Sequence, residues 1–296
     1  MAGPRLTFTQ AEHTLSHKRV LAGYVPVALR GVVYLIVGDG EEDKHRSFQS
    51  LSFEGGPTSL KLTPTTVCTV DMTPAVYTQC MHQIGRRVYM LGPTMSCMVN
   101  TRLRKALSTK HRDGARLRTL FTNVCVPHPT EEHKVVFAQY MEEVGGRAFI
   151  VTYDVESNTL STGVEESGRL CARNLTSDRA TDWCVVGESL HCVTTDRMRE
   201  KAYHQSYNMV EEKWHKDAPI PFEVYSPAVI SVGHHVVLIG GLDHESTIHA
   251  YDTTTSTWAC WGEAPLTLDA GIGIDIDADT AMIFGVEPKA EGEGEG

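Results

Sequence analysis

Six short apolar runs recur along the 296-residue chain at nearly even intervals. Each run is rich in β-branched or aromatic side chains and too short for a helix, which is typical of a buried β-strand. The last residues of the runs lie about 49 residues apart on average, the interval of a repeat that contributes one four-stranded sheet per copy. The runs are Val33–Gly38, Val88–Gly92, Val135–Tyr140, Leu190–Thr195, Val236–Gly240 and Ala281–Gly285.

A second periodicity follows most of these runs. An aromatic residue is followed seven positions later by Trp or Leu, and in three of the four cases an Asp or Asn comes directly after the aromatic residue. An acidic or amide side chain there favours a turn into the next strand. The pairs are Tyr251 with Trp258, Tyr207 with Trp214, Tyr153 with Leu160, and Phe53 with Leu60.

Residues 228–265 combine both patterns and resemble a complete kelch repeat. A strand over Ala228–Val232 leads through a tight turn into a second strand that ends in Gly240 and Gly241, and the third and fourth strands carry Tyr251 and Trp258. The other repeats keep only parts of this pattern, and the second repeat shows only its first two strands clearly. The resemblance implies an all-β, six-bladed kelch-type β-propeller with four-stranded antiparallel blades.

The last repeat has only two strands, over 270–277 and 280–285, before a run of Glu and Gly. An open ring would expose unpaired strand edges, so we expect residues 1–19 to supply the missing strands and to form the closing blade with 266–286. A single domain over 1–286 is therefore predicted. The tail at 287–296 is predicted to be disordered, because it offers little apolar surface to bury.

Composition and missing motifs argue against several functions. The net charge of −10 disfavours nucleic-acid binding, and no apolar run approaches a membrane span. No secretory signal is visible, so we expect a cytoplasmic protein, with the nucleus as the alternative. The cysteines form no Cys-x-x-Cys pair and the histidines no His-Glu-x-x-His motif. His234 and His235 lie in a predicted hairpin turn, and we do not expect them to chelate together, because adjacent residues on a strand point to opposite faces. Without a nucleophile elbow or a phosphate loop either, we expect no metal, cofactor or enzyme activity.

One segment, Thr101–Arg118, reverses the overall charge where the second repeat should place its third strand and the following turn. It carries one acid, Asp113, among its many cations. One interpretation is a docking patch for an acidic or phosphate-bearing partner, and the other is a solvated insertion in a tolerant loop. Its predicted binding residues are Arg102, Arg104, Lys105, Arg112, Arg116 and Arg118.

The loops that join second and third strands form one face in kelch-type propellers, a face that commonly binds peptides. Two of these loops hold closely spaced cations, and Arg is suited to bidentate contact with carboxylates. The resemblance to adaptor kelch proteins implies that these side chains grip an acidic segment of a partner. They are Lys44, Arg46, Arg197, Arg199 and Lys201.

The expected function is therefore a non-enzymatic scaffold or adaptor that binds a protein partner, either an acidic peptide or a ubiquitin-ligase component, through propeller-face loops. Two alternatives stay open. One is an enzyme with its active site at the mouth of the central channel, and the other is a structural subunit held in a large assembly through Thr101–Arg118. Fold alone does not choose among them.

Overall fold

The chain is all-β and is built from small antiparallel sheets, in a computed structural model that contains no helix within the residues it describes. The described residues are 25–29, 32–37, 45–56, 59–71, 80–84, 86–91, 95–110, 125–141, 147–157, 159–162, 179–196, 201–241, 246–265, 267–268, 270–275 and 280–286. They belong to two compact units, one between residues 25 and 162 and the other between residues 179 and 286. The predicted closing strands at 1–19 and the tail at 287–296 lie outside the described residues.

The N-terminal unit holds three four-stranded sheets in which consecutive strands pair. The first strands of successive sheets lie next to each other, β1 beside β5 and β5 beside β9. The first sheet comprises β1 (Val25–Leu29), β2 (Val32–Val37), β3 (His45–Gly56) and β4 (Ser59–Asp71). The second comprises β5 (Cys80–Ile84), β6 (Arg87–Leu91), β7 (Met95–Asn100) and β8 (Lys105–Lys110). The third comprises β9 (Cys125–Pro127), β10 (Lys134–Met141), β11 (Arg147–Asp154) and β12 (Thr159–Thr162).

The C-terminal unit repeats this plan. Its first strands are also neighbours, β13 beside β17 and β17 beside β21. The fourth sheet comprises β13 (Arg179–Val186), β14 (Ser189–Asp196), β15 (Lys201–Asn208) and β16 (Lys213–Lys216). The fifth comprises β17 (Ala228–Val232), β18 (His235–Ile239), β19 (Thr247–Asp252) and β20 (Thr257–Glu263), and the sixth has β21 (Ala270–Asp275) and β22 (Ala281–Val286) among the described residues.

All six apolar runs are confirmed as the second strands of their sheets. In five of them an aliphatic side chain at the same register position has no exposed surface. The fourth strands are different, since β16 and β20 contain only exposed and half-buried residues, as outer strands do. The five buried side chains are Val33, Val88, Val135, Leu190 and Val236.

The turn between the third and fourth strands follows one scheme in four sheets. Its opening Asp or Asn accepts hydrogen bonds through Oδ1 from backbone N–H groups two or three residues ahead, which orders the turn locally. In the fifth sheet Asp252 accepts from Thr254 and Thr255 at 2.8 and 3.2 Å. Asn208, Asp154 and Asn100 accept in the same way in the fourth, third and second sheets.

These turns explain the spacing of seven residues. The residue before the Asp or Asn lies directly opposite the residue seven positions later, as Tyr251 lies opposite Trp258. The same register holds for Tyr207 with Trp214 and for Tyr153 with Leu160. The predicted pairing of Phe53 with Leu60 is wrong, because β3 and β4 form a longer hairpin with a two-residue connection. That geometry places Phe53 opposite Leu62.

The second sheet also corrects the sequence analysis. Its third strand is β7, so Thr101–Arg118 does not replace that strand. The segment begins with the four-residue turn 101–104, and β8, the fourth strand, follows at once. Its first ten residues are thus regular parts of the sheet and not an insertion, while residues 111–118 lie outside the described residues.

Candidate functional sites

The turn between β7 and β8 presents three of the predicted cations together. Arg102, Arg104 and Lys105 are all exposed. The Leu103 N–H donates to Oδ1 of Asn100 at 3.0 Å, which fixes the start of the turn. Arg104 has a positive φ of 51°, and the last turn residues of the fourth and fifth sheets, Glu212 and Ser256, also have a positive φ. The cations therefore stand on a defined backbone.

Two leucines are interleaved with these cations. The exposed fractions are 63% for Leu103 and 60% for Leu107, the highest values among the large apolar side chains of the described residues. An exposed apolar group among charges that does not pack into the core is typical of a surface that contacts a partner.

The neighbouring turn adds two more cations to the same end of the sheet. Arg86 and Arg87 are exposed, and the Arg86 carbonyl accepts from both the backbone N–H and the hydroxyl of Thr101 at 3.1 Å. No Asp or Glu occurs anywhere in residues 72–112. We call Arg86, Arg87, Arg102, Arg104 and Lys105 the basic end of the second sheet. Its charge has no acidic residue nearby in sequence to offset it.

The other predicted binding residues divide into two groups. Arg46 is the second residue of β3 and Lys201 is the first residue of β15, so both lie beside connections between second and third strands. In an antiparallel meander that connection lies at the opposite end of a sheet from the turn that carries Arg102. The remaining predicted residues, Lys44, Arg112, Arg116, Arg118, Arg197 and Arg199, lie outside the described residues.

A second candidate site is a buried polar cluster between the fourth and fifth sheets. His191 on β14 and His204 on β15 are diagonal neighbours on one face of the fourth sheet, and Asp217 follows β16. The His191 Nδ1 lies 3.1 Å from the His204 Nε2. The Asp217 Oδ2 lies 4.0 Å from the first nitrogen and 3.9 Å from the second. The three side chains therefore converge on one point.

Burial dominates the electrostatics of this cluster. It lowers the pKa of His204 to about 3, with a further contribution from His191, and it lowers the pKa of His191 against the opposing effect of the Asp217 carboxylate. Both rings are therefore neutral near pH 7. Two atoms of the cluster, His204 Nδ1 and Asp217 Oδ2, are buried without a hydrogen-bond partner, which is costly inside a protein.

Aromatic residues of the fifth sheet hold the Asp217 segment in place. The Tyr251 hydroxyl donates to the other carboxylate oxygen, Asp217 Oδ1, at 3.3 Å, and burial raises the pKa of this tyrosine. The Trp258 indole N–H donates to the Ala218 carbonyl at 3.2 Å. Both aromatic rings also meet the His204 ring edge-on, with centroids 4.5 and 5.4 Å away. The partners of Asp217 thus come from the aromatic pair that the spacing of seven revealed.

A more exposed group gathers His234, His235 and Asp252 at the turn between β17 and β18. The His234 Nε2 lies 3.8 Å from Asp252 Oδ1, and the His235 Nε2 lies 3.9 Å from Asp252 Oδ2. The predicted hairpin turn holds His234, and His235 is the first residue of β18. The expectation that the two side chains would diverge is wrong, because only one of the two residues belongs to the strand. Their ring centroids are 4.0 Å apart.

Sequence reasoning missed the buried cluster entirely. Its members come from three separate elements, and no local spacing connects His191, His204 and Asp217. One signal was present, since His191 lies inside the run Leu190–Thr195, which is predicted to be a buried strand. The exposed leucines and the acid-free stretch around Arg86 could also have been read from the sequence.

Comparison with known proteins bears on the fold alone. The sequence matches no protein-family model and no curated protein. The structure resembles many solved chains, 420 in all, and so does not single out one function. One of them is the structure of YjhT, with a TM-score of 0.58 and 12% identity over 90% of this chain and 91% of that chain. The sheets are consistent with a β-propeller-like fold. The described residues include no helix with the length and apolarity that crossing a bilayer requires.

Proposed function

We propose that this chain is a non-enzymatic protein-interaction module, a scaffold or adaptor, that binds an acidic segment of a partner through the basic end of the second sheet. The observation that carries the proposal is the exposure of Arg102, Arg104 and Lys105 beside Leu103 and Leu107, on one ordered turn and the start of the strand that follows it. Cations give attraction and orientation toward carboxylates, and the leucines supply apolar area that a partner can cover.

The proposal includes the architecture that presents this surface. We propose a six-bladed kelch-type β-propeller closed by the N-terminal strands, in the cytoplasm. It is supported by the regular use of an apolar second strand, by the aromatic pairs, and by the adjacency of first strands within each unit. Blades built in this way leave their turns free to vary, which suits a surface specialised on one blade.

The test exploits the shared turn geometry. The triple variant R102T/L103T/R104S gives the second sheet the turn sequence of the fifth sheet, residues 253–256, which adopts the same hydrogen-bonded turn with a positive φ at its last position. The variant should therefore fold normally. The matched control V210T/E211T/E212S makes the same exchange in the equivalent turn of the fourth sheet.

Binding is measured by fluorescence anisotropy with a labelled peptide that alternates Glu or Asp with Leu, and by affinity purification from cell extract with quantitative mass spectrometry. We expect the wild type and the control to bind both the peptide and a stoichiometric partner. The triple variant should lose about tenfold or more in affinity, and added salt should weaken wild-type binding. Equal binding by all three proteins, or binding of a lysine-rich peptide instead, would overturn the proposal.

A further inference from the structure

The buried cluster between the fourth and fifth sheets has the geometry of a metal site. Its three inward-facing atoms, His191 Nδ1, His204 Nε2 and Asp217 Oδ2, are separated by 3.1, 3.9 and 4.0 Å. A point equidistant from atoms with these separations lies about 2.1 Å from each, within the range of ~2.0–2.2 Å for bonds from Zn²⁺ to imidazole nitrogen and carboxylate oxygen. The spacing of the three atoms is therefore that of ligands to one such ion, which would lie close to their common plane.

Hydrogen bonding within the protein leaves this cluster unsatisfied. One histidine can donate to the other across 3.1 Å, but Asp217 Oδ2 is too far from either nitrogen to accept a hydrogen bond. This buried oxygen has no hydrogen-bond partner, so its negative charge faces two ring nitrogens without compensation. A divalent cation at the common point would bind all three atoms at once.

The surroundings orient the ligands as the outer shell of a metal site does. Tyr251 donates to Asp217 Oδ1, which turns Oδ2 toward the histidines. Trp258 fixes the backbone next to Asp217 by its bond to the Ala218 carbonyl. Hydrogen bonds to ligating carboxylates typically govern ligand orientation and metal affinity.

We propose that His191, His204 and Asp217 bind a divalent first-row transition-metal ion, with Zn²⁺ as the best-fitting occupant, that joins the fourth sheet to the fifth through Tyr251. Two imidazoles and a carboxylate suit zinc, and three protein ligands leave one coordination position for water. The His204 side chain has no exposed surface and that of His191 is 4% exposed, so the ion would be held inside the fold. Its role is to stabilise the packing of the two sheets.

The test uses Co²⁺ as a spectroscopic probe of the full chain after removal of metals by a chelator. We expect one equivalent of Co²⁺ to bind with a visible d–d spectrum, Zn²⁺ to displace it, and Zn²⁺ to raise the melting temperature. Asp217→Asn keeps the side-chain shape and should weaken Co²⁺ binding at least tenfold. The matched control H234A/H235A removes the histidine pair beside Asp252, of which His234 is exposed, and should bind as the wild type does.

A second variant guards against misfolding of the first. Tyr251→Phe keeps the aromatic ring but removes the hydrogen bond that orients Asp217, and should weaken Co²⁺ binding about 10- to 100-fold. Cooperative melting of each metal-free variant establishes that it is folded. The proposal fails if the wild type binds no Co²⁺, if Zn²⁺ leaves its melting temperature unchanged, or if binding is lost in H234A/H235A and kept in Asp217→Asn.

Discussion

The fourth and fifth sheets meet across an interface in which a buried polar group lies beside an apolar cluster that includes Val193 and Val229, whereas the buried cluster between the fifth and sixth sheets is aliphatic. In the second interface, β18 and β19 contribute Val237 and Ile248, packed with Leu268 and other aliphatic side chains. In the first interface, the fourth sheet contributes His191 and His204. Two neighbouring interfaces made from the same repeat therefore both contain apolar packing, but the first also contains a buried histidine pair.

The register shows that these positions are equivalent. Tyr207 lies opposite Leu190, and Tyr251 lies opposite Val236. The histidine on the second strand directly follows Leu190, as the valine directly follows Val236, and on the third strand both residues precede their tyrosine by three positions. Side chains at these equivalent positions thus face the same way in the fourth and fifth sheets, but they differ in polarity. A polar pair is tolerated where Asp217 completes the group.

We expect the largest effect when the side chains at the equivalent positions of the two interfaces are exchanged. The variant V237H/I248H places two imidazoles in the aliphatic cluster between the fifth and sixth sheets. We expect the free energy of unfolding to fall by about 3 kcal/mol or more, because two buried polar rings replace aliphatic packing. Urea denaturation followed by tryptophan fluorescence measures the change.

The reverse exchange is its control. H191V/H204I makes the interface of the fourth and fifth sheets resemble that of the fifth and sixth, and in metal-free protein it should change the free energy of unfolding by about 1 kcal/mol or less, since it removes the unpartnered His204 Nδ1 while restoring aliphatic packing. If the two exchanges destabilise equally, the interfaces do not differ in the way described.

Much of this architecture could be predicted from local patterns. The six apolar runs located the second strands, because burial on both faces requires continuous apolar residues, and Tyr251 with Trp258 gave the register across a turn. The pattern failed at Phe53, where a two-residue connection changes the register, and in the second sheet, where Val99 stands in place of the aromatic residue before Asn100. The second sheet therefore keeps the hydrogen-bonded turn at Asn100 although it has no aromatic residue before it.

The candidate sites were less predictable. The cations of the turn at Arg102 are contiguous, so a charge count found them, but Arg86 joins them only through strand pairing and a hydrogen bond to Thr101. His191 and Asp217 are brought together by three strands and a connection, and no single-sequence spacing encodes that distance. Tertiary proximity is the information that local periodicity does not contain.

One carboxylate, Asp182, contacts both interfaces and should make the free energy of unfolding depend on pH. It lies on β13 and accepts backbone N–H groups from Trp183, from Val229 on β17 and from Gly273 on β21. Burial, with a smaller contribution from Asp275, raises its pKa to about 7 against the lowering effect of these hydrogen bonds. Because this folded value lies above the ordinary value of 3.8, the native state keeps a proton that the unfolded chain releases. Its contribution to stability is complete below about pH 4, declines as the pH rises, and is lost above about pH 7.

We therefore compare the wild type with Asp182→Asn by urea denaturation at pH 5 and pH 8. From Asp182 alone, the free energy of unfolding of the wild type should fall by on the order of 1–2 kcal/mol more than that of the variant over this range. Parallel pH profiles would mean that this carboxyl is already ionised in the native protein at pH 5. Both interfaces share the group, so neither exchange variant should abolish the effect.

The smallest expected effect concerns single hydrogen bonds at the two interfaces. Trp258→Phe removes the indole N–H that donates to Ala218 beside the polar cluster, and should lower the free energy of unfolding by about 1 kcal/mol in addition to lost ring area. Trp261→Phe is the matched change on the other side of the fifth sheet, where the indole packs edge-on to His235. Differential scanning calorimetry of both variants should show the larger decrease in melting temperature for Trp258→Phe. If Trp261→Phe has the larger effect, ring packing rather than the bond to Ala218 distinguishes the two interfaces.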